Sequence, residues 1–386
     1  MVKFECNRLK AQVNSAYDFD EILTDGILKD ISLRISGSSD YTITWKEERN
    51  IGRFIVAWFN DKKNYISLSQ YGEVGSRNNY LQSVPTAYEE YYNDSYTNKQ
   101  FCYYCLPFKG NNTTPYILFG YKMMKTAKIK FLNESLFIGN KIIEPFKNMQ
   151  ELLKKKQELR ISNSANKSSY ITDEGDCYHI YGKTFGANGK ETCLMCYAIT
   201  KIADKPVKLF PIFDNDATTL SDKSKNAISD MGKIIVLNET FTMDDSTKET
   251  KDDEDIRSPK FIYNLLCKFG HKKCCLCGCE IDSIVQAAHI WPVAAIKKAN
   301  LTIDEKKKYA LDGENGIWLC ENHHKLFDTN LIIFDLNGKV KFSKKLDDNN
   351  KTFVKEITKT PEIDPSFVTV HLKKYLGKRM DYYFSA

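Results

Sequence analysis

The feature that most constrains the fold is a repeated pair of metal-ligand types in the last third of the sequence. Cys274 and Cys277 stand in "KCCLCG", and Cys320 and His323 have the same spacing in "LCENHH". Two such side chains in a tight turn can reach one tetrahedral zinc ion, and the two motifs together supply four ligands. A zinc ion bound there would join the two ends of a small module that otherwise has little core.

The choice of cysteines in the first motif is open, because Cys275 or Cys279 could replace Cys274 or Cys277 as a ligand. Gly278 favours Cys274 and Cys277, since a glycine suits the tight turn of such a motif. The three-dimensional arrangement must decide between these choices.

Two other Cys-x-x-Cys pairs raise the question of a second zinc site, namely Cys102 with Cys105 and Cys193 with Cys196. Their four thiolates could complete a tetrahedral site. Both pairs lie in strand-like, aromatic surroundings, however, where a free cysteine behaves as a small apolar residue. The sequence leaves both interpretations open.

Hydropathy and charge set broad limits on function. The N-terminus "MVKFECNRLK" lacks the apolar core of a signal peptide, and no stretch approaches the roughly 18 apolar residues of a membrane span. We therefore expect a cytoplasmic protein without membrane contact, whose 12 cysteines are reduced thiols. The net charge of +6 is compatible with phosphate binding, although a solvated surface explains it equally well.

A polar, acidic stretch divides the chain. "ETFTMDDSTKETKDDEDIRSPK" (239–260) has no apolar period, which is typical of a linker. We predict a first domain over residues 1–240, a linker over 241–257 and a second domain over 258–386.

The second domain is predicted to begin with a helix. Ser258 can cap it, Pro259 suits its first position, and Gly270 can end it. The apolar run "FIYNLLCKF" lies between these signals, so the helix leads into the cysteine motif.

Short aromatic and β-branched runs dominate residues 1–240 and predict strands. The runs are "GRFIVAWF", "NYISLSQYG", "FCYYCLPF", "PYILFGY", "AKIKFL", "CYHIYG" and "KIIVL". "KGNN" and "GANGK" (186–190) indicate hairpins, while "IIEPFKNMQELLKKKQELR" (142–160) has helical spacing. We therefore expect an α+β fold, with a strand-rich α+β first domain and a zinc-stabilised second domain.

A second set of polar side chains lies near the zinc motifs. His289 stands in the apolar, strand-like "QAAHIWPVAA", and "DGENGIWLCENHHKLFDTN" follows later. Adjacent side chains on a helix point about 100° apart, so one of His323 and His324 can face the zinc while the other faces a different site. His324 and Asp328 share a helix face, which presents a nitrogen and an oxygen to a divalent cation.

This arrangement resembles the HNH endonuclease family, whose ββα-metal fold carries a general-base histidine, a structural asparagine and a metal-binding histidine. His289 in "AAHI", Asn315 in "ENGIWLC" and His324 in "NHHKLFD" match these three positions. The segments "LIIFDLNGKVKFSK" and "TPEIDPSFVTVHLKKYLG" look like the strand pair and closing helix of one subclass. The resemblance covers roughly residues 260–377.

The resemblance implies a role for each residue. His289 would take a proton from water, and Asn315 would hold its ring through a hydrogen bond. His324, with Asp328, would bind one Mg²⁺ or Mn²⁺ ion that stabilises the leaving 3′ oxygen, so that products carry 5′ phosphate and 3′ hydroxyl ends. Many family members have an acidic residue or histidine where this chain has Ala288. We expect Asp328, Asn315 or water to fill that role, or the metal to be held loosely.

Residues 1–240 then need a role of their own, because an HNH module recognises little beyond phosphate and groove shape. We expect them to read sequence or modified bases in double-stranded DNA, which makes the chain a restriction-type endonuclease. Cutting two strands with one site per module predicts a homodimer. The alternative is a relatively nonspecific effector nuclease of anti-phage defence that a ligand or partner activates. A third interpretation is a zinc module that binds DNA without cutting it.

Overall fold

The computed structural model describes residues 1–7, 23–46, 54–68, 83–106, 115–133, 143–162, 169–184, 186–213, 219–237 and 258–384. Taken over these residues, the chain forms two compact units. The first comprises Met1–Ser169, Gly182–Phe213 and Thr218–Val236, and the second comprises Tyr170–Tyr181 and Leu237–Ala386. Helices and several sheets confirm the mixed α and β fold class. The predicted linker 241–257 lies outside the described residues.

A six-stranded mixed sheet, in the order β2-β1-β3-β4-β5-β6, forms the centre of the first unit. Its strands are β1 (Val2–Asn7), β2 (Tyr41–Lys46), β3 (Phe54–Phe59), β4 (Lys62–Leu68), β5 (Lys99–Tyr104) and β6 (Lys130–Phe131). The tight hairpin between β3 and β4 turns at Asn60 and Asp61, whose φ angles of 45° and 59° are the left-handed values such a turn requires.

Parallel neighbours in this sheet need crossover connections, and a helix lies between the strands of each parallel pair. These helices are α1 (Asp25–Ser36), α2 (Ser83–Asn93) and α3 (Pro115–Thr126). Phe4, Ile31, Ile55, Ile66 and Tyr104 are buried together in the main apolar cluster. Phe54, Val56 and Tyr65 of β3 and β4 belong to a second, smaller cluster, so the central strands are buried on both faces of the sheet.

The remaining elements before residue 238 follow in chain order. They are α4 (Met149–Ser162), β7 (Ser169–Asp173), β8 (Tyr178–Lys183), α5 (Gly186–Ile202), β9 (Val207–Ile212), α6 (Asp222–Asp230) and β10 (Ile234–Val236). Strands β9 and β10 pair in parallel within the first unit. Most of β7 and β8 belongs to the second unit.

Two of the predicted β segments are helical. "PYILFGY" forms the first part of α3, because Pro115 occupies the first helical position, where proline is favoured. "GANGK" (186–190) begins α5 instead of a hairpin. That helix is buried on all sides around Leu194 and Tyr197, so its apolar run has no amphipathic period to reveal it. "KGNN" lies outside the described residues, whereas the strands predicted from "GRFIVAWF" and "NYISLSQYG" are confirmed as β3 and β4.

From residue 258 onward, the second unit contains the predicted helix, followed by a series of short elements. They are α7 (Pro259–Phe269), β11 (Val285–His289), α8 (Val293–Lys298), α9 (Ile303–Leu311), β12 (Gly316–Cys320), α10 (Glu321–Asp328), β13 (Ile332–Phe334), β14 (Val340–Phe342), α11 (Asp348–Ile357) and α12 (Val370–Phe384). The antiparallel pair β11–β12 leads directly into α10. The predicted strand pair β13–β14 and the closing helix α12 are both present.

The turn between β7 and β8 belongs to this second unit. Asp282 accepts a hydrogen bond from the backbone N–H of Asp173 at 2.8 Å, and the buried Lys272 ammonium lies 2.6 Å from the Glu174 carboxylate. These contacts fix the segment that enters the cysteine motif. In the part of the chain that the structure describes, no helix has the length and apolar character needed to cross a bilayer.

Candidate active site and metal centre

The cysteine and histidine motifs meet in one cluster. The ligand atoms of Cys274, Cys277, Cys320 and His323 all lie within 4.8 Å of one another. The Sγ atoms of Cys277 and Cys320 are 3.7 Å apart, and Sγ of Cys274 is 3.6 Å from Nδ1 of His323. Neighbouring ligands around a tetrahedral zinc ion are about 3.5–3.8 Å apart, given the usual Zn–S and Zn–N lengths. The cluster therefore fits a zinc ion.

The backbone of the first motif explains which cysteines take part. Gly278 adopts a φ of 75°, a left-handed value that suits glycine, and its N–H donates to the Cys274 carbonyl at 2.9 Å. The N–H of Cys274 donates to the Cys279 carbonyl at 2.8 Å. This turn brings Cys277 into the ligand group, which contains neither Cys275 nor Cys279.

The electrostatics of the cluster also favour a bound cation. Burial raises the pKa of the three cysteine thiols, so their thiolate forms need a nearby positive charge. Burial lowers the pKa of His323, which favours its neutral, ligating form. The Thr358 hydroxyl donates to the Val354 carbonyl at 2.6 Å, so it accepts from Nε2–H of His323 at 3.2 Å. That bond leaves the Nδ1 lone pair directed to the cysteines.

The other two cysteine pairs do not form a second cluster. Within the described ranges, the Cys274 group alone brings three or more potential ligands close enough to hold an ion. Cys102 lies in the apolar cluster of the six-stranded sheet, and Cys105 is also fully buried. Cys193 and Cys196 lie on the buried helix α5. The second zinc site that the sequence left open is therefore not found among the described residues, where Cys102 instead accepts a hydrogen bond from the Gln100 side chain at 2.8 Å.

His289 is held in a defined orientation at the end of β11. Its ring stacks on Phe261, with centroids 3.7 Å apart and planes 12° apart. Its Nε2 lies 3.0 Å from the carbonyl oxygen of Ala310. Because a carbonyl only accepts, Nε2 carries the proton of the neutral ring and Nδ1 carries the lone pair. Nδ1 is therefore the basic nitrogen of this imidazole.

Two glycines let α7 approach this histidine closely. Gly316 lies opposite His289 in the strand register, and a Cβ added to it would lie 2.6 Å from the ring of Phe261. A Cβ added to Gly313 would lie 2.5 Å from a backbone carbonyl oxygen of α7. Both distances are shorter than van der Waals contact. The stacking of Phe261 on His289 thus depends on the absence of side chains at these positions.

Asn315 acts on the backbone beside the histidine. It is fully buried, and its Oδ1 accepts from the N–H of Trp291 at 2.8 Å. Its Nδ2 donates to the carbonyls of Trp291 and Tyr309, and its own carbonyl accepts from Ile290. The predicted hydrogen bond from Asn315 to the ring of His289 is wrong, because both amide hydrogens bind backbone carbonyls. Asn315 instead fixes the segment that follows His289 and the end of α9.

His324 and Asp328 lie one turn apart on α10, which packs against β11. Their Nε2 and Oδ2 atoms are 3.3 Å apart, and the Asp328 side chain is 52% exposed. Adjacent ligands of an octahedral Mg²⁺ ion lie about 3 Å apart, so the pair fits two neighbouring coordination positions. Ala288 is fully buried, and the amide of Asn315 is engaged with the backbone, so neither offers a further ligand.

Several residues that hold the site were not predicted from the sequence. They are Phe261, Ala310, Gly316, Thr358 and Arg379. The glycine of "ENGIW" was the one available signal, since a glycine within a strand often marks a close approach of another segment. The others act through ring stacking, through backbone carbonyls or, for Thr358, through a hydroxyl distant in sequence from its partner, and none of these leaves a motif.

An antiparallel strand pair followed by a helix, with one histidine ending the first strand and another on the helix, defines a ββα-metal module. Here a thiolate-rich cluster joins its ends. Residues 274–335 match the family model described as HNH endonuclease, which confirms the resemblance over this part of the chain. The C-terminal region therefore indicates a nuclease that acts on DNA. A comparison with curated proteins gave no match.

Proposed function

We propose that the chain is a restriction-type DNA endonuclease that uses one divalent ion and leaves 5′ phosphate and 3′ hydroxyl ends. The observation that carries the proposal is the fixed imidazole of His289. Phe261 holds the plane of the ring, and the Ala310 carbonyl selects the tautomer whose Nδ1 can accept a proton. The pair His324 and Asp328 belongs to the same ββα module.

The reaction follows from these positions. Nδ1 of His289 accepts a proton from a water molecule, and the water oxygen forms a bond to phosphorus as the bond from phosphorus to O3′ breaks. The leaving oxygen takes a proton from solvent. A divalent ion held by His324 and Asp328 would neutralise charge on the phosphate and on the leaving oxygen. The buried bonds of Asn315 keep the backbone beside His289 in place during this step.

Two exposed lysines on α12 support the approach of a DNA backbone to this site. The Lys374 ammonium lies 5.2 Å from the ring centre of Tyr309, and that of Lys378 lies 5.6 Å from the ring centre of Trp291. Trp291 follows His289 closely in sequence. Lysine–phosphate contacts position a duplex but carry no sequence information, so recognition needs other residues.

We assign that recognition to residues 1–240, which would read sequence or modified bases, with 241–257 as a linker and 258–386 as the cleaving domain. A homodimer would place one site on each strand of a double-stranded DNA target. The support is that Lys374 and Lys378, the exposed lysines argued to meet the DNA, suit phosphate and not bases, so base recognition falls to other residues.

Cleavage of phage DNA tests the proposal. The full chain, loaded with zinc, is incubated with Mg²⁺ and either methylated or unmethylated phage DNA, and the ends are sequenced. We expect defined cut positions with 5′ phosphate ends, and no cleavage by His289→Ala. His371→Ala, which alters an exposed histidine of α12, is the matched control and should cleave normally.

Other outcomes would contradict parts of the proposal. Random degradation that starts only after a cell extract is added would favour the ligand- or partner-activated effector nuclease. Intact DNA with the wild-type chain, together with DNA binding that His289→Ala leaves unchanged, would favour a binding protein. Ends that carry 3′ phosphate would overturn the proposed chemistry.

A further inference from the structure

A buried arginine of the closing helix touches both halves of the candidate active site. Arg379 lies on α12, outside the region that matches the family model, and only 3% of it is exposed. Its Nη1 donates to the carbonyl of Ile290 at 3.1 Å. Its Nη2 donates to the carbonyl of Phe327 at 2.6 Å and to Oδ1 of Asn330 at 3.0 Å. One guanidinium thus connects two segments that are distant in sequence.

The two carbonyls directly adjoin the proposed catalytic residues. Ile290 follows the general base His289, and Phe327 precedes the metal-ligand candidate Asp328. The guanidinium is planar, and its donors point in fixed directions, so it can hold both carbonyls in one geometry. A lysine in its place would offer a single charged nitrogen without that fork.

The surroundings of Arg379 restrict its movement. Its guanidinium carbon lies 3.6 Å from the ring centre of Phe327 and 4.8 Å from that of Tyr383. Burial lowers its pKa to about 10, so the side chain stays charged at neutral pH. A buried cation is unfavourable unless it is hydrogen-bonded. Nε of Arg379 is buried without a partner, so the charge depends on the bonds of Nη1 and Nη2, which require both carbonyls to stay in place. The carbonyl end of α10 also carries partial negative charge, which favours a cation there.

We propose that Arg379 is a positioning residue that fixes the spacing between the general base on β11 and the last turn of α10. This inference rests on the proposed nuclease function. Arg379 touches no substrate and acts through the carbonyls of Ile290 and Phe327. The closing helix is then a working part of the nuclease site, although it lies beyond residues 274–335.

Two readouts on the full-length, zinc-loaded chain test this proposal. The first is the single-turnover cleavage rate at saturating DNA and Mg²⁺. We expect Arg379→Met to lower it about 100-fold, as a displacement near 1 Å can do. The cleavage rate of Arg379→Lys should lie between those of Arg379→Met and the wild type, because lysine keeps the charge but can reach only one of the two carbonyls.

The second readout is amide hydrogen exchange, which does not depend on activity. Arg379→Met should speed exchange in peptides covering 287–292 and 325–330. Exchange at 274–279, in the zinc cluster, should stay as in the wild type. A fold that is damaged as a whole would instead speed exchange in all three peptides.

Leu372→Ala is the matched control on the same helix, since Leu372 is fully buried and purely apolar. It should lower Tm without changing the cleavage rate of the folded protein. The proposal is overturned if Arg379→Met keeps wild-type cleavage and exchange, or if Leu372→Ala slows cleavage equally. If the wild-type chain does not cleave DNA at all, the nuclease function fails, while the exchange data still report whether Arg379 fixes the two segments.

Discussion

Replacing Gly316 with alanine should separate the histidine from the ring that holds it. The added Cβ would lie 2.6 Å from Cζ and 3.0 Å from Cε2 of Phe261, and 3.0 Å from Cδ1 of Leu265. Ordinary carbon contacts are about 3.5–4.0 Å, so the Phe261 ring must withdraw by about 1 Å. Because that ring stacks on His289 at 3.7 Å, the imidazole loses its support.

The magnitude follows from two separate effects. Overfilling a packed site costs about 1–3 kcal/mol, and loss of good stacking adds about 0.5–1.5 kcal/mol. We therefore expect Gly316→Ala to lower the free energy of unfolding by about 2–4 kcal/mol. A shift of about 1 Å in the general base should also slow cleavage about 100-fold.

Gly377→Ala is the control for this experiment, because its added Cβ would meet only Leu336 Cδ2, at 3.7 Å. Gly377 lies on a helix, where alanine is favoured over glycine, so this change should leave the free energy of unfolding equal or slightly higher. Urea unfolding and single-turnover cleavage are measured for both variants. A second change, Phe261→Leu in the Gly316→Ala background, should recover stability but not rate, since no ring then stacks on His289. Wild-type stability and rate in Gly316→Ala would refute the close-approach argument.

Three further predictions concern the metal centre and the DNA surface. Cys277→Ser, or removal of zinc with a chelator, should unfold the second unit and abolish cleavage even with excess Mg²⁺, because zinc binding is coupled to folding. Circular dichroism and the zinc content measure this effect. A folded, active protein without zinc would contradict the prediction. Thr358→Val should weaken zinc binding about 10–100-fold in chelator competition, because Nε2–H of His323 loses its acceptor. Unchanged zinc affinity would refute the role of Thr358 in orienting His323. Lys374→Gln with Lys378→Gln should lower DNA affinity and reduce the slope of log affinity against log salt by about 2. The single variants Lys373→Gln and Lys374→Gln give the comparison, because Lys373 is also an exposed lysine of this helix. Equal salt slopes for the two single variants would contradict a specific role for Lys374.

The sequence predicted those parts of the site whose chemistry is carried by residue type and spacing. The zinc cluster follows from two short motifs, and α7 begins at Pro259 and ends before Gly270 as predicted, although the Ser258 side chain makes no capping hydrogen bond. Such signals are local, because each involves neighbours within a few residues. They do not depend on how the rest of the chain packs.

The sequence failed where long-range packing decides the outcome. The aromatic run "PYILFGY" has the composition of a strand and "GANGK" that of a hairpin turn, but both lie in helices, α3 and α5. Tertiary packing overrides such local preferences. Asn315 was assigned to the His289 ring by family resemblance, whereas its amide binds backbone at Trp291 and Tyr309. A hydrogen bond to a backbone carbonyl leaves no trace in the partner's residue type. For the same reason, the contacts of Ala310 and Arg379 could not be predicted from the sequence.

Helix α10 links the candidate zinc cluster to the proposed site of the catalytic divalent ion. In its first turn, the His323 side chain points to the thiol cluster and the His324 side chain points to Asp328, because adjacent residues on a helix point about 100° apart. A zinc ion in the cluster would therefore fix the rotation of α10 at its beginning, and Arg379 holds the carbonyl of Phe327 at its end. A helix held at both ends cannot turn or slide without breaking one of these contacts. The direction of the His324 side chain is thus set by residues that take no part in the chemistry.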